Sequence, residues 1–454
     1  GAIQFVLLAY SFATLTRLGI FEAGVRAFIY NTSREDQRAA TLAQNVGITY
    51  DTAFALLPGL VLLAATPFLE DPLRQLGFML APVATLIASL SAFLIQLHVA
   101  RMRFAIVARV NLFRVVLLPG LQLGGVFVFG PAAVFVAPIV VDIATVLLLS
   151  VVRAGLDVRP TWSWSAARPL LRTGLPFGLE VLVYWAYRLV GSTSVAAFED
   201  LAVLGIYAFA LIPVTVAVRA IAPVQSVLTP MLWREMSIDT SGSRRWAVDA
   251  ARVTRTVAVL AGVLIGVAQA AFGPVVELAL PSFTETIPIF EVLSITILLL
   301  VVGLLPSLVL NSPVVNKQAL HLVIWLVGLI VNAAANVIVL ASGWGVMAVA
   351  WNDVWIQFAL VIVLYEVASP YFLPRRGRRR MYLQLLGVLT TTVCVGLVLR
   401  AIPRPPVRSW SMALAQISLR LALVLSVWTA LVGGVAWLRR RPTGHSPSMS
   451  DDET

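Results

Sequence analysis

Seven ionisable side chains fall inside apolar, helix-length runs: Arg17, Arg114, Arg188 and Arg219, with Asp142, Glu180 and Asp353. A charge at bilayer depth costs ~2.5–3.5 kcal/mol on insertion scales, so each is expected to face protein or water rather than lipid. Arginine stays protonated and offers a planar fork that can hold two oxygens of one anion. The four arginines therefore form a candidate anion-binding set. A buried carboxylate has two uses: it can take up a proton or small cation, or it can neutralise an arginine. Asp142 sits mid-run, and Asp353 has Gln357 one turn later. Glu180, Tyr184 and Arg188 follow at four-residue intervals and so share one helix stripe, which suits either a cavity wall or a packing contact. Arg219 lies between Pro213 and Pro223, which loosen the backbone around it.

Other polar residues read as structural. Arg26 follows Glu22 by four residues, and the two are expected to pair on one face. His321, Trp325, Asn332 and Asn336 roughly share a face, where asparagines suit hydrogen bonds between helices. Trp185 and Tyr187 are sugar-stacking candidates or ordinary interface aromatics. Cys394 is the only cysteine, which excludes an intrachain disulfide and a thiolate metal site. His98, His321 and His445 fall in no metal-binding spacing, and no phosphate-binding Gly-Lys-Ser/Thr loop is present. No metal, no cofactor and no catalytic residue is expected.

The elements that must hold these side chains are membrane helices. The chain has 454 residues, of which 59% are hydrophobic and 12% charged, with a mean hydropathy of +0.92. That composition defines a polytopic membrane protein, and the alternation of a transmembrane barrel is missing. Runs long enough to cross a bilayer occur at 3–30, 48–69, 76–98, 105–129, 132–152, 169–194, 201–232, 253–273, 286–310, 318–341, 345–368, 382–400 and 410–437. The fold class is all-α, with about 13 transmembrane helices.

Loop charge sets the expected orientation. One alternating set of loops carries Arg34 and Arg38, Arg101 and Arg103, Arg153 to Arg172, Arg234 to Arg255, Lys317, Arg375–Arg380 and Arg439–Arg441. The opposite set carries Glu70-Asp71, Glu199-Asp200, Glu277 and Glu285, with Arg74, Arg400, Arg404 and Arg408 as exceptions. The positive-inside rule then places the C-terminus in the cytoplasm. The net charge of +11 is mostly this topology signal, and nucleic acid is not an expected partner. The chain starts at Gly1 within an apolar run, so one helix is expected to be missing ahead of it.

FVLLAYSFATL near the start resembles LGIYAFALIPV further on, with Tyr10 and Phe12 opposite Tyr207 and Phe209. Internal repeats of this kind build two-lobe transporters. Three motifs carry a family resemblance. LLRTGLPFGLEVLVYWAYRLVGSTSVAAFEDLAVLGIYAFALIP is similar to the start of the second lobe in polysaccharide flippases, through Pro176, Phe198 to Asp200, and Leu204, Gly205 and Tyr207. GLIVNAAANVIVLASGWGVMAVAWNDV resembles that family's paired asparagines and glycines, through Asn332, Asn336, Gly343, Gly345 and Ala348. RLGIFEAGVRAFIY is similar to the end of its second helix. Gly191-Ser192 departs from an Asp-Arg often found in the seventh helix. The chain thus resembles the oligosaccharide-lipid flippases of the multidrug/oligosaccharidyl-lipid/polysaccharide (MOP) exporter superfamily, whose members usually have fourteen helices.

The resemblance implies a two-lobe MATE/MOP-type fold: a first lobe over 1–158, a second over 159–372, a basic loop and helix pair over 373–441, and a disordered cytoplasmic tail over 442–454. It implies translocation of a polyprenyl-pyrophosphate-linked oligosaccharide across the cytoplasmic membrane for surface polysaccharide synthesis. Alternating access would run through a cationic cavity in which Arg17, Arg114, Arg188 and Arg219 meet the pyrophosphate. Asp142, Glu180 and Asp353 would be the ion-coupling candidates. Membrane lipid, a polysaccharide polymerase and glycosyltransferases are the implied partners. Two other classes compete: a drug or small-molecule antiporter of the same superfamily, and a membrane glycosyltransferase or polymerase. The enzyme reading needs a substantial outer domain, and every outer loop here is short.

Overall fold

A chain in hydrocarbon must satisfy its backbone polar groups internally, so helices form wherever the sequence is apolar for long enough. A computed structural model describes residues 6, 9–10, 19–151, 158–238, 245–372, 375–402 and 409–440, with the backbone alone at 151, 219, 220, 222, 245, 375–380, 384, 385 and 431–440. The helices in these residues are α1 (Ile20–Ser33), α2 (Gln37–Ala65), α3 (Pro72–Ala100), α4 (Phe104–Phe129), α5 (Ala133–Val151), α6 (Trp164–Phe198) and α7 (Leu201–Ile238). They continue as α8 (Arg245–Ala279), α9 (Thr286–Leu293), α10 (Ile295–Leu310), α11 (Gln318–Ala341), α12 (Gly345–Phe372), α13 (Arg375–Ala401) and α14 (Trp410–Arg440).

Eleven segments of the described residues are long and apolar enough to cross a bilayer. One of them, Phe104–Ser150, holds both α4 and α5, which meet at a short turn over Gly130–Ala132. Another, Thr286–Leu310, holds α9 and α10, interrupted at Ser294. Of the expected crossing at 3–30, residues 3–5, 7, 8 and 11–18 lie outside the described residues, and α1 covers only its last part. Gly19 has φ 68°, a left-handed conformation, and α1 starts only after it. Gly19 also sits close against α6, where a Cβ on it would overlap the carbonyl of Gly174.

Two expected loops are helical instead. α2 starts at Gln37, where Asp36 caps it by accepting from the Ala39 N–H at 3.0 Å. The Arg375–Arg380 run forms the opening turns of α13, since arginine is a good helix former and only Gly377 interrupts it.

The helices pack in two groups. In the first, α2 lies against α1 and α3, and α3 against α5. In the second, α6 lies against α11, α10 and α11 against α12, and α7 against α9. The groups meet where α1 touches α6 and α7, α2 touches α6, and α3 touches α7. The second group holds a large apolar core that includes Val214, Phe290, Leu298, Leu364 and Phe372. The first holds two smaller clusters, one around Phe28, Phe93 and Leu97 and one of Val6, Phe78 and Phe135. α13 and α14 pack on α8, and Arg400 Nε bonds Glu291 Oε2 at 3.0 Å. Arg400, an exception to the loop-charge alternation, is thereby tied to α9.

Candidate functional site

A cavity of about 370 Å³ opens where the two groups meet. α1 contributes Phe21, Glu22 and Val25, and α3 contributes Gln96. From the second group come Phe177 and Glu180 of α6, Gln225, Ser226, Thr229 and Trp233 of α7, and Asn311. Carboxylates, amides and hydroxyls are its polar groups, set among apolar and aromatic walls. A second cavity of about 340 Å³ lies within the second group and shares Glu180, Gln225 and Asn311 with the first. Leu299, Leu304, Leu360 and Leu364 line it together with Tyr184, Trp325, His321 and Gln357.

Glu180 stands on the shared wall and is fully engaged. His321 Nδ1 lies 2.9 Å from Glu180 Oε2, and Asn311 Nδ2 donates to the same oxygen at 3.2 Å. Trp325 Nε1, which can only donate, bonds His321 Nε2 at 3.2 Å. His321 Nε2 therefore accepts from the indole, and Asn311 Nδ2 lies 3.2 Å from Nδ1. Tyr184 and Tyr187 pack edge-on against Trp325, at 5.5 and 5.4 Å between ring centres, which locks the indole in place. The expected stripe of Glu180, Tyr184 and Arg188 thus divides: Glu180 and Tyr184 line the inner cavity, and Arg188 serves a different cluster.

That cluster surrounds Asp353. Tyr207 donates to Asp353 Oδ2 at 2.8 Å and Asn332 donates to Oδ1 at 2.9 Å. Asn352 Nδ2 continues the network to Asn336 Oδ1 at 2.7 Å. The charge of Arg188 bears on Asp353 and on Tyr207 without a direct bond to either. Gly191 is the reason the network fits: a Cβ there would overlap the Tyr207 hydroxyl and come within 2.8 Å of Asp353 Oδ2. The glycine that departs from the flippase pattern is thus the residue that admits Tyr207 and Asp353. Gln357, expected to act beside Asp353, donates instead to the Thr296 carbonyl at 3.1 Å.

In the first group, Arg114 Nη2 meets Asp142 Oδ1 at 2.9 Å, and Ser91 Oγ donates to the same oxygen at 2.7 Å. Arg17 lies outside the described residues, as does the side chain of Arg219, whose backbone belongs to α7. Arg26 makes no ion pair with Glu22; its Nη2 bonds Ser312 and Asn316 in the other group. Trp185 is exposed and Tyr187 is buried. No group of three or more metal-ligating side chains occurs among the described residues.

The sequence reading missed three features. Asp51 is fully buried midway along α2 and accepts from Ser89 Oγ at 2.5 Å. It looked like a span end because the polar stretch before it read as loop. His321 and Asn311 gave no sign of belonging to Glu180, since no local spacing links them. Gln225 and Thr229 line the interlobe cavity from a helix whose pattern is apolar.

These geometries can be set beside known proteins. Solved structures superpose over most of the chain. A point mutant of the Vibrio cholerae MATE transporter VcmN matches with a TM-score of 0.69 at 15% identity, covering 82% of this chain and 89% of that one. The chain has a MATE/MOP transporter fold. The MATE transporter ClbM in complex with Rb⁺ matches at 0.65 and 13%, covering 84% and 88%. A MOP superfamily transporter from Pyrococcus furiosus, described as having a binding pocket of reversed polarity, matches at 0.60 and 15%, covering 84% and 87%. No protein-family model and no curated protein sequence matches the chain.

Proposed function

We propose that this MATE/MOP-fold chain is an alternating-access transporter that moves a polyprenyl-pyrophosphate-linked oligosaccharide across the cytoplasmic membrane for surface polysaccharide synthesis. The observation that carries the reading is the interlobe cavity, with Gln96, Gln225, Ser226, Thr229 and Asn311 around apolar walls. Amide and hydroxyl groups both donate and accept, as sugar hydroxyls do, and the rings of Phe21, Phe177 and Trp233 offer faces for sugar C–H groups. The flippase-like residues Pro176, Tyr207, Asn332 and Asn336 support the same reading. Arg114 is already committed to Asp142, so pyrophosphate contacts fall to other arginines, Arg17, Arg188 and Arg219 being the ones to test. Glu180 and Asp353, held by imidazole, amide and hydroxyl groups, are the coupling carboxylates in this scheme. Glycosyltransferases and a polymerase would act before and after it.

The test is surface glycan in a cell lacking its own flippase, with membrane protein level measured in parallel. This chain should restore the glycan, and Ala at Arg17, Arg188 or Arg219 should lower cargo affinity by roughly one to two decades. Full activity in all three well-expressed variants would remove the arginines from cargo binding. A second reading, export of an organic cation, is favoured by the charge of the lining: Glu22 and Glu180 are present, and no lysine or arginine is among the described lining residues. Drug resistance conferred without glycan rescue would select it.

A further inference from the structure

Arg26 in α1 is 4% exposed, yet its described bonds go to uncharged groups. Nη2 donates to the Ser312 carbonyl and to Asn316 Oδ1, both at 2.8 Å, and Nε has no partner among the described residues. The guanidinium carbon lies 5.6 Å from the centre of the Phe177 ring. Arg26 belongs to the first helix group, whereas Phe177, Ser312 and Asn316 belong to the second. The contact therefore spans the interface. It also borders the cavity, since Val25, Ile29, Phe177 and Asn311 are lining residues on either side of it. Arg26 is seven residues from the end of α1, roughly 10 Å along the helix, on the side that carries the basic loops.

Burying a guanidinium against neutral acceptors has a particular consequence. A carboxylate would make a permanent clamp, whereas a carbonyl and an amide compensate the charge only in part. When the groups part on this side, water replaces both acceptors and offsets much of what is lost. The closed and open arrangements can then lie close in free energy, as a cycling gate requires.

We propose that Arg26 is the latch that holds the two helix groups together at the basic-loop end of the interlobe cavity, with Ser312 and Asn316 as its catch. The proposal rests on the alternating-access reading but not on the identity of the cargo. Asn316 also supplies a way to strengthen the latch. Its φ of 55° is left-handed, a conformation that aspartate tolerates as asparagine does, so Asn316→Asp should turn the latch into an ion pair without straining the turn.

The experiment uses the full chain with Cys394→Ser, which removes its only cysteine, and Ser226→Cys as a reporter in the cavity. In proteoliposomes, a membrane-impermeant maleimide is applied from the basic-loop face and the labelling rate is read. Arg26→Ala should raise that rate at least about tenfold, since it removes both hydrogen bonds of a charged group. Arg26→Lys should raise it less, and Asn316→Asp should lower it below the parent. Unchanged labelling in a monodisperse Arg26→Ala protein would overturn the proposal, as would faster labelling in Asn316→Asp. If Arg26→Ala does not fold, the Asn316→Asp comparison decides. A latch that responds as expected in a protein that moves no glycan would keep the gate and discard the cargo assignment.

Discussion

Asp142 in the first helix group and Asp353 in the second are both carboxylates placed within spans, and the protein holds them by opposite means. Asp142 faces the guanidinium of Arg114 at 2.9 Å. Asp353 faces the hydroxyl of Tyr207 and the amide of Asn332, with Arg188 acting on it only through space. Glu180 is closer to the second case, with an imidazole and an amide as partners. An ion pair is a closed unit, because removing either charge strands the other. A carboxylate surrounded by neutral donors can be neutralised by a proton or a cation without stranding anything. Asp353 is thus a carboxylate that can exchange charge, whereas Asp142 is committed to offsetting an arginine.

The sharpest way to break this contrast is at the ion pair. Arg114→Ala or Asp142→Asn alone should cost about 3–5 kcal/mol, because each leaves one charge uncompensated in a partly buried site. The double variant Arg114→Gln with Asp142→Asn should cost clearly less than the sum. Thermal unfolding in detergent measures all three, and strict additivity would show that the two residues do not act as a unit.

A smaller effect on stability, and a larger one on function, is expected at Asp353. Asn in its place can still accept from Tyr207, and its Nδ2 can pair with the Asn332 amide only if that amide turns over, so stability should fall by about 1 kcal/mol. Gradient-driven transport in proteoliposomes should disappear. Normal transport by the Asn variant would make Asp353 structural, like Asp142, and the contrast would collapse.

Trp325→Phe tests the hydrogen bond that holds the imidazole beside Glu180. Losing the indole N–H should cost about 0.5–1.5 kcal/mol in thermal unfolding. An unchanged unfolding temperature would show that the indole does not hold the imidazole. The smallest effect is expected in the basic run that opens α13. Replacing any one arginine of Arg375–Arg380 by Ala should stay within about 0.5 kcal/mol and leave surface glycan unchanged.

Most of the helical architecture could be read directly from the residues. Apolar windows located the crossings, and errors fell where polar residues extend a helix beyond its hydrophobic stretch. Gln37 to Gly47 is the clearest example: its amides and small residues read as loop but form the opening turns of α2, and so moved Asp51 from an apparent span end to the middle of a helix. The candidate site was legible only as a set of unusual residues. Glu180, Asp142 and Asp353 stood out because charges in apolar runs are rare. Their partners did not, because His321, Asn311, Tyr207 and Asn332 are ordinary residues of other helices.

Composition and run length by themselves determined that this chain crosses a bilayer many times as helices, because the polar backbone must be satisfied internally in hydrocarbon and the alternation of a barrel is missing. They also determined which side chains would be costly to place. Tertiary structure alone decided how those costs were met: Arg114 by Asp142, Glu180 by His321, Asp353 by Tyr207 and Asn332, and Arg26 by a carbonyl and an amide across the lobe interface. The physical reason is range. Hydrophobic burial is set by the local run of residues, whereas a buried charge is compensated within about 3 Å by whichever helix the fold brings beside it.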